Sequence, residues 1–195
     1  MSEAQTAGGW GAVRLTEARQ VAALMGVDID DRPPADVLVR THYDELRAGN
    51  YRSAALQYLG HALPRLEAVA WAARIVADTT AADPPPRRAR HALDVVLRWL
   101  EDPTDLHRRA AGAAAEAIAQ PVAERLLASA VFFSGGSIVA ANAAPVVPPD
   151  HVAARYAVGA IDAATRRAID PVAALETALV LGERIAERGI TVLDR

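Results

Sequence analysis

Prolines stand repeatedly where a helix can begin, and this recurrence constrains the fold more than any other feature. The five positions are Pro64, Pro84, Pro103, Pro121 and Pro171. Asp83, Asp102 and Asp170 directly precede three of them. A proline at the first helical position gives up an amide that has no helical partner, and a carboxylate before it caps the helix. The sequence therefore predicts helices joined by short links.

Apolar spacing supports nine helices. They are predicted over 16–25, 34–48, 51–62, 64–78, 86–100, 104–119, 122–133, 150–169 and 172–188. Leu93, Val96, Leu97 and Leu100 form one helical stripe, and a similar stripe runs from Leu175 to Ile185. The ranges 64–78 and 122–133 are apolar almost all round, so we expect them to be central. The prediction is an all-α, single-domain bundle of about nine helices, with stacked helical hairpins as an alternative arrangement.

Two segments fall outside the helices. Residues 1–14 are predicted to be a flexible N-terminal arm before a single helical domain, 15–195. Glycines flank Trp10 in this arm, which suggests that one aromatic side chain docks on its own domain or on a second copy. Residues 134–149 form a loop whose length is uncommon inside a domain, and its apolar residues predict that it is ordered.

Composition excludes several classes of function. The chain of 195 residues is 52% hydrophobic and 23% charged, which is typical of a globular protein. Its net charge of −3 argues against a nucleic-acid partner, and its lack of cysteine excludes disulfides and thiolate chemistry. No signal peptide or membrane span is visible, so we expect a cytoplasmic protein. All 21 basic residues are arginine.

One helical face carries the clearest candidate binding site. Glu67, Trp71, Arg74 and Asp78 lie at i, i+4, i+7 and i+11, and so share a face. They suggest a groove for a partner's helix or loop, with Trp71 as its anchor. The alternative is an internal helix whose polar edge is satisfied by its neighbours. Arg65 has the wrong sign for a helix start, so it is expected to reach a distant carboxylate or a ligand anion.

The turn at Ser134, Gly135, Gly136 and Ser137 is the second candidate. Two glycines permit a positive φ, so the turn is explained as the end of a helix. An anion-binding loop is the alternative, although such loops precede a helix and this one follows it. Neither reading includes a nucleophilic serine.

Catalytic and metal sites are not indicated. The five histidines are scattered, and His91 and Asp94, at i and i+3, would supply only two ligands for a metal. No nucleophile stands beside a base and no nucleotide fingerprint is present, so we expect no catalytic residue, metal or cofactor. Arg87 and Arg88 near a helix start are electrostatically unfavourable and suggest an exposed binding edge.

Four segments together resemble an uncharacterised bacterial family of helical proteins. They are ALPRLEAVAWA at 62–72, DPT at 102–104 with RRAA at 108–111, FFSGGS at 132–137, and PP at 148–149 followed by RYAVGA at 155–160. Family members usually carry tryptophan where this chain has Ala70 and Phe133. The resemblance implies that the gene lies near type VI and related contractile secretion loci. It implies no activity.

We therefore expect a non-enzymatic interaction module with a protein partner, an adaptor or accessory factor linked to a contractile secretion system. A small-molecule or anion-binding protein is the alternative, with Arg65, Arg74 and the Gly135–Gly136 turn around an interhelical pocket. A homo-oligomer that packs alanine-rich faces such as 110–119 between subunits is a third.

Overall fold

The computed structural model describes residues 9–80, 84–140 and 142–193. The predicted all-α, single-domain fold is confirmed, since these residues form nine α-helices and two short 3-10 helices, Ile29–Asp31 and Ile190–Leu193. The α-helices are α1 (Ala18–Met25), α2 (Val39–Ala48), α3 (Arg52–Ala62), α4 (Arg65–Thr80), α5 (Arg87–Glu101), α6 (Asp105–Glu116), α7 (Ala123–Phe132), α8 (His151–Arg166) and α9 (Pro171–Arg188). None of these helices has the length and hydropathy needed to cross a membrane.

Only one of the predicted proline starts has the expected geometry. Pro171 is the first residue of α9, and the Asp170 side chain accepts hydrogen bonds from the next two amides. Asp102 instead ends α5, and the Thr104 side chain caps α6. Helix α5 begins at Arg87, beyond Pro84, and Asp83 lies outside the described residues. A proline thus indicates that a helix begins nearby, while the backbone geometry determines which residue is the first of the helix.

The predicted start of α2 at residue 34 is wrong by five residues. Asp36 has a φ of 78°, which no helix can accommodate. The backbone beyond it pairs with the chain at the entry to α1, since the Val39 amide donates to the Thr16 carbonyl and the Ala18 amide to the Val37 carbonyl. Asn50, just beyond the other end of α2, also has a positive φ, of 61°.

Helices α4, α7 and α8 form the centre of the bundle. Helix α8 packs against α3, α4, α7 and α9, and α7 also contacts α5 and α6. The central position predicted for α4 and α7 agrees with this packing, although α8 shares it. On α6 one face of small residues packs within the chain, since Ala111, Ala114 and Ala115 are buried, whereas Ala110 and Ala113 are exposed.

The buried stripe of α5 is rotated from the predicted one. Leu97 is 41% exposed, whereas Ala89, Ala92 and Trp99 are buried beside Leu93 and Val96. The prediction weighted leucine and overlooked alanine, which completes a buried stripe because it allows neighbouring helices to approach closely. In an alanine-rich chain the apolar pattern must therefore include alanine.

Trp71 of α4 is fully buried at the point where α3, α8 and α9 converge. Its Nε1 donates to the Ala178 carbonyl oxygen at 2.8 Å. A Cβ at Gly182 of α9 would lie 2.6 Å from the Trp71 ring and 2.7 Å from Leu59. A Cβ at Gly60 of α3 would lie 2.1 Å from Val158 of α8. Two glycines therefore make room for the contacts around the indole.

The described part of the N-terminal arm, residues 9–14, is packed on the domain. Trp10 is 6% exposed, and its ring lies 4.8 Å from that of Tyr43. The Ala12 amide donates to the Ala186 carbonyl oxygen at 2.9 Å, which ties the arm to α9. Trp10 thus packs against the domain of its own chain.

Ion pairs join α2 to α9. Arg40 donates to Glu187 and Arg47 to Glu183, each at 2.9 Å, and the Tyr43 hydroxyl also donates to Glu183. Arg47 further binds Glu176, which accepts a bond from Arg52 of α3 as well. Because the Arg47 and Arg52 guanidiniums donate to it, the pKa of Glu176 falls from 4.5 to about 2.

Replacing Gly182 with alanine should destabilise the protein by about 1–3 kcal/mol, because the added methyl overpacks Trp71 and Leu59. Urea unfolding measures the change. Gly159→Ala in α8 is the matched control, because a Cβ there meets only an ordinary contact at 3.6 Å. That change should be neutral or stabilise by up to about 1 kcal/mol. Equal effects of the two substitutions would contradict the packing described here.

Glu176→Gln should lower the melting temperature at neutral pH and have no effect near pH 2. The folded-state pKa of Glu176 is depressed, so its stabilisation is complete above about pH 4.5 and is lost as pH falls towards 2. Thermal unfolding of both proteins across this range provides the measurement. Glu116→Gln, at an exposed glutamate, should track the wild type throughout. A pH-independent difference for Glu176→Gln would be contrary to this assignment.

Candidate functional site

The predicted groove on α4 does not exist as one solvent-facing surface. Trp71 is 0% exposed and its only polar atom is bound to Ala178, so it does not anchor a partner from solvent. Arg74 and Asp78 are exposed and pair at 3.0 Å, and Glu67 is half-buried. The spacing correctly places these residues near one another, but the helix turns its tryptophan into the core. The internal-helix alternative describes Trp71.

Arg74 and Arg65 lie in different parts of the surface. Arg74 and Asp78 line a shallow groove against α9, which contributes Glu176 and Arg184. Arg65 lies at the other end of α4, beside the 134–149 loop. The structure therefore does not bring Arg65, Arg74 and the Gly135–Gly136 turn into a single pocket.

Arg65 joins both ends of the 134–149 loop. Its Nη1 donates to the Ser134 carbonyl oxygen at 2.7 Å, and its Nη2 donates to the Asp150 carboxylate. Asp150 is the distant carboxylate that the unfavourable position of Arg65 predicts. The first turn of α4 thus holds the loop where it leaves α7 and where it enters α8.

Arg108 of α6 is the buried centre of the loop's attachment. It is 4% exposed, and it donates to the carbonyl oxygens of Phe132 at 2.6 Å and Ser137 at 2.8 Å. Its Nε donates to Asp105 at 2.9 Å. Gly136 has a φ of 64°, and a Cβ there would lie 3.2 Å from the Arg108 guanidinium. The glycine turn therefore packs closely on the Arg108 guanidinium, which binds backbone carbonyl oxygens at Phe132 and Ser137. An anion-binding loop would instead present backbone N–H groups to its ligand.

Arg109 completes the attachment. Its Nε donates to the Asp105 carboxylate at 2.8 Å, and the same guanidinium donates to the carbonyl oxygens of Val139 and Ser137. The Ser137 hydroxyl accepts bonds from the amides of Val139 and Val146, and the Ile138 amide donates to the Val146 carbonyl. Ser137 thus crosslinks the two arms of the loop.

The far end of the loop remains exposed. Residues 142–147 are all exposed, with Val146 at 49% and Val147 at 64%, and Pro148 is buried again. This six-residue segment, called here the loop tip, contains Ala143, Ala144, Pro145 and the two valines. Hydrogen bonds from Arg65, Arg108 and Arg109 hold the described residues on either side of the tip, and the tip itself presents apolar side chains to solvent.

A small pocket lies on the other side of Arg65. His61 is 4% exposed, and its Nδ1 donates to the Gln57 carbonyl oxygen at 2.7 Å, which leaves Nε2 as an acceptor. No described residue donates to that Nε2. Arg14, Asp150 and His151 also line the pocket, whose volume is about 360 Å³. Burial lowers the pKa of His61.

Sequence reasoning missed His61 and the α2–α9 ion pairs. The partners in these pairs lie 129 to 147 residues apart in the chain, so no local spacing in the sequence indicates them. Among the described residues, no three histidine, aspartate or glutamate side chains converge on a possible metal position.

Arg108→Met should free the loop while keeping the aliphatic part of the side chain. It removes the Arg108 donor from the Phe132 carbonyl and one of the two arginine donors from the Ser137 carbonyl. We expect a loss of about 3 kcal/mol in the free energy of unfolding. Hydrogen exchange should show faster exchange of the Val139 and Val146 amides. Arg166→Met, at an exposed arginine paired only within α8, is the control. Unchanged protection of the two amides would refute the proposed attachment.

Comparison with known proteins places the chain at the family level. Residues 42–186 match the model described as a family of unknown function, DUF6931. No curated protein and no solved structure matches. The matched range contains α3 to α8, Trp71, the three arginines that hold the loop, and the loop itself. Because the match covers most of the sequence, the chain belongs to the DUF6931 family.

Proposed function

We propose that this chain is a non-enzymatic protein-interaction module of the bacterial cytoplasm, and that the loop tip is its contact surface. The observation that carries the proposal is the combination of a fixed backbone with exposed apolar side chains. Arg65, Arg108 and Arg109 all bind backbone carbonyls of the loop, yet Val146 and Val147 remain exposed.

The hydrogen bonds that hold the loop before a partner binds favour its use as a contact surface. A loop that is already fixed loses little conformational entropy when a partner covers it, so more of the contact energy contributes to affinity. The valines are short, stiff side chains that have few rotamers to lose. A partner of matching chemistry has an apolar groove that receives the two valines and Pro145.

The finer proposal concerns the partner. The resemblance to proteins encoded near contractile secretion loci supports a component of such an apparatus, or its cargo, as the protein that receives the loop tip. The module then acts as an adaptor or accessory factor.

A second candidate function is the binding of a small anion, and the His61 pocket favours it. The pocket combines a buried, unpartnered acceptor with the cationic side chains of Arg14 and Arg65. A hydroxy acid would satisfy both, with its hydroxyl on His61 Nε2. This residue set replaces the one that included Arg74.

Replacing Val146 and Val147 with aspartate should abolish partner binding without unfolding the protein, because both side chains are exposed. The measurement is affinity purification of the tagged chain from its own host with mild cross-linking and quantitative mass spectrometry. Ile169→Asp is the matched control, since Ile169 is a fully exposed apolar residue in the turn between α8 and α9. The wild type and control should recover one protein stoichiometrically, and the double variant should lose at least about tenfold of it.

Two results would count against the proposal. Equal recovery by the double variant would remove the loop tip as the surface. Recovery of the chain alone by the wild type would remove the stable-adaptor function and leave small-anion binding as the favoured one. Identification of a contractile-apparatus component would support the finer proposal.

A further inference from the structure

A cavity of about 660 Å³ lies between the start of α5, the end of α6 and the start of α7. It is called here the Glu124 cavity. It is separate from the loop tip, and none of the predicted groove residues lines it. Arg87 and Arg88, the arginines that suggest an exposed binding edge, line this cavity, together with Arg167.

Glu124 of α7 is the most deeply buried charged side chain at this site. The residue is 0% exposed, and its Oε1 accepts a hydrogen bond from Arg167 Nη2 at 2.7 Å. Its Oε2 is buried and has no donor among the described residues. Glu124 lines the cavity, and a buried carboxylate oxygen without a donor is costly, so a ligand group that reaches it must carry N–H or O–H.

The arginines at the start of α5 call for the opposite charge. Arg87 and Arg88 are exposed, and Arg88 Nη1 donates to the Ala117 carbonyl oxygen at 3.1 Å, which holds this guanidinium at the cavity. Positive side chains are unfavourable at the positive end of a helix dipole. A bound carboxylate would offset this repulsion and could accept bonds from both guanidiniums.

The two requirements exclude ligands whose charges are all of one sign. A dicarboxylate would place a negative group against Glu124, and a simple amine would face Arg87, Arg88 and Arg167 without compensation. Apolar side chains, including Ile118 and Val122, also line the cavity. The matching chemistry is a small molecule with one ammonium, one carboxylate and a hydrocarbon body.

We propose that the Glu124 cavity binds an apolar amino acid. The ammonium group donates to Glu124 Oε2, the carboxylate accepts bonds from Arg87 and Arg88, and the hydrocarbon side chain packs on Ile118 and Val122. This site is independent of the protein-interaction function, because its residues lie at the start of α5, in the link between α6 and α7, at the start of α7 and just after α8, and none belongs to the loop tip.

Isothermal titration calorimetry of the full chain with the apolar amino acids, starting with leucine, tests the proposal. Isopentylamine and isocaproate are leucine without its carboxylate and without its ammonium group. We expect an amino acid to bind, and each single-charge analogue to bind at least about tenfold more weakly. Glu124→Gln should weaken leucine binding by a similar factor and should not weaken isocaproate binding.

Variants at the rim separate binding from folding. Arg87→Ala with Arg88→Ala alters exposed positions, so it keeps the test decisive even if Glu124→Gln fails to fold. It should weaken leucine binding at least about tenfold. Arg98→Ala removes an exposed arginine from the last turn of the same helix and should leave the Kd unchanged.

Either of two outcomes overturns the proposal. If no apolar amino acid binds at millimolar concentration, a trapped water satisfies Glu124 Oε2. If one binds with the same Kd to the wild type and to the rim variant, it binds elsewhere on the protein.

Discussion

The burial of Trp71 is the contact on which the rest of the bundle depends. Its indole fills the point where α3, α8 and α9 meet α4, and its N–H satisfies a carbonyl of α9. The chain has few aromatic residues, so this one ring supplies contact area that alanine cannot. Gly60 and Gly182 allow the surrounding helices to come close enough to enclose it.

Arginine performs two structural tasks in this protein that lysine could not. At 108 a single planar guanidinium reaches two carbonyl oxygens and a carboxylate, which a compact ammonium group does not span in the same way. Between α2 and α9, Arg47 binds two glutamates that lie seven residues apart. A coding bias explains the absence of lysine from the sequence. The fold nevertheless uses the fork geometry of the guanidinium, both at Arg108 and at Arg47.

Local signals predicted the helices, and long-range packing decided what could not be predicted. Asp170 and Pro171 form a cap from adjacent residues, so this helix start is readable in the sequence. The i, i+4 spacing on α4 shows which side chains share a face but not which face is buried. The sequence therefore leaves both the groove and the internal helix open, and only the fold shows that Trp71 is buried. Arg65 signalled that it needs a carboxylate, whereas the identity of Asp150, 85 residues away, follows only from the fold. Glu124 and His61 carried no signal, because an orphaned atom exists only once its surroundings are built.

The bond between Trp71 and α9 has a consequence for how the protein is made. Its two residues are separated by 107 positions in the chain. At the usual rate of synthesis, about 5–20 residues per second, roughly 5–20 s pass between the emergence of the tryptophan and that of its partner. Throughout that interval the nascent chain carries an open indole site that no earlier helix can close. The core is therefore completed late in translation, and until then the growing chain presents to chaperones the aromatic surface that the finished protein conceals.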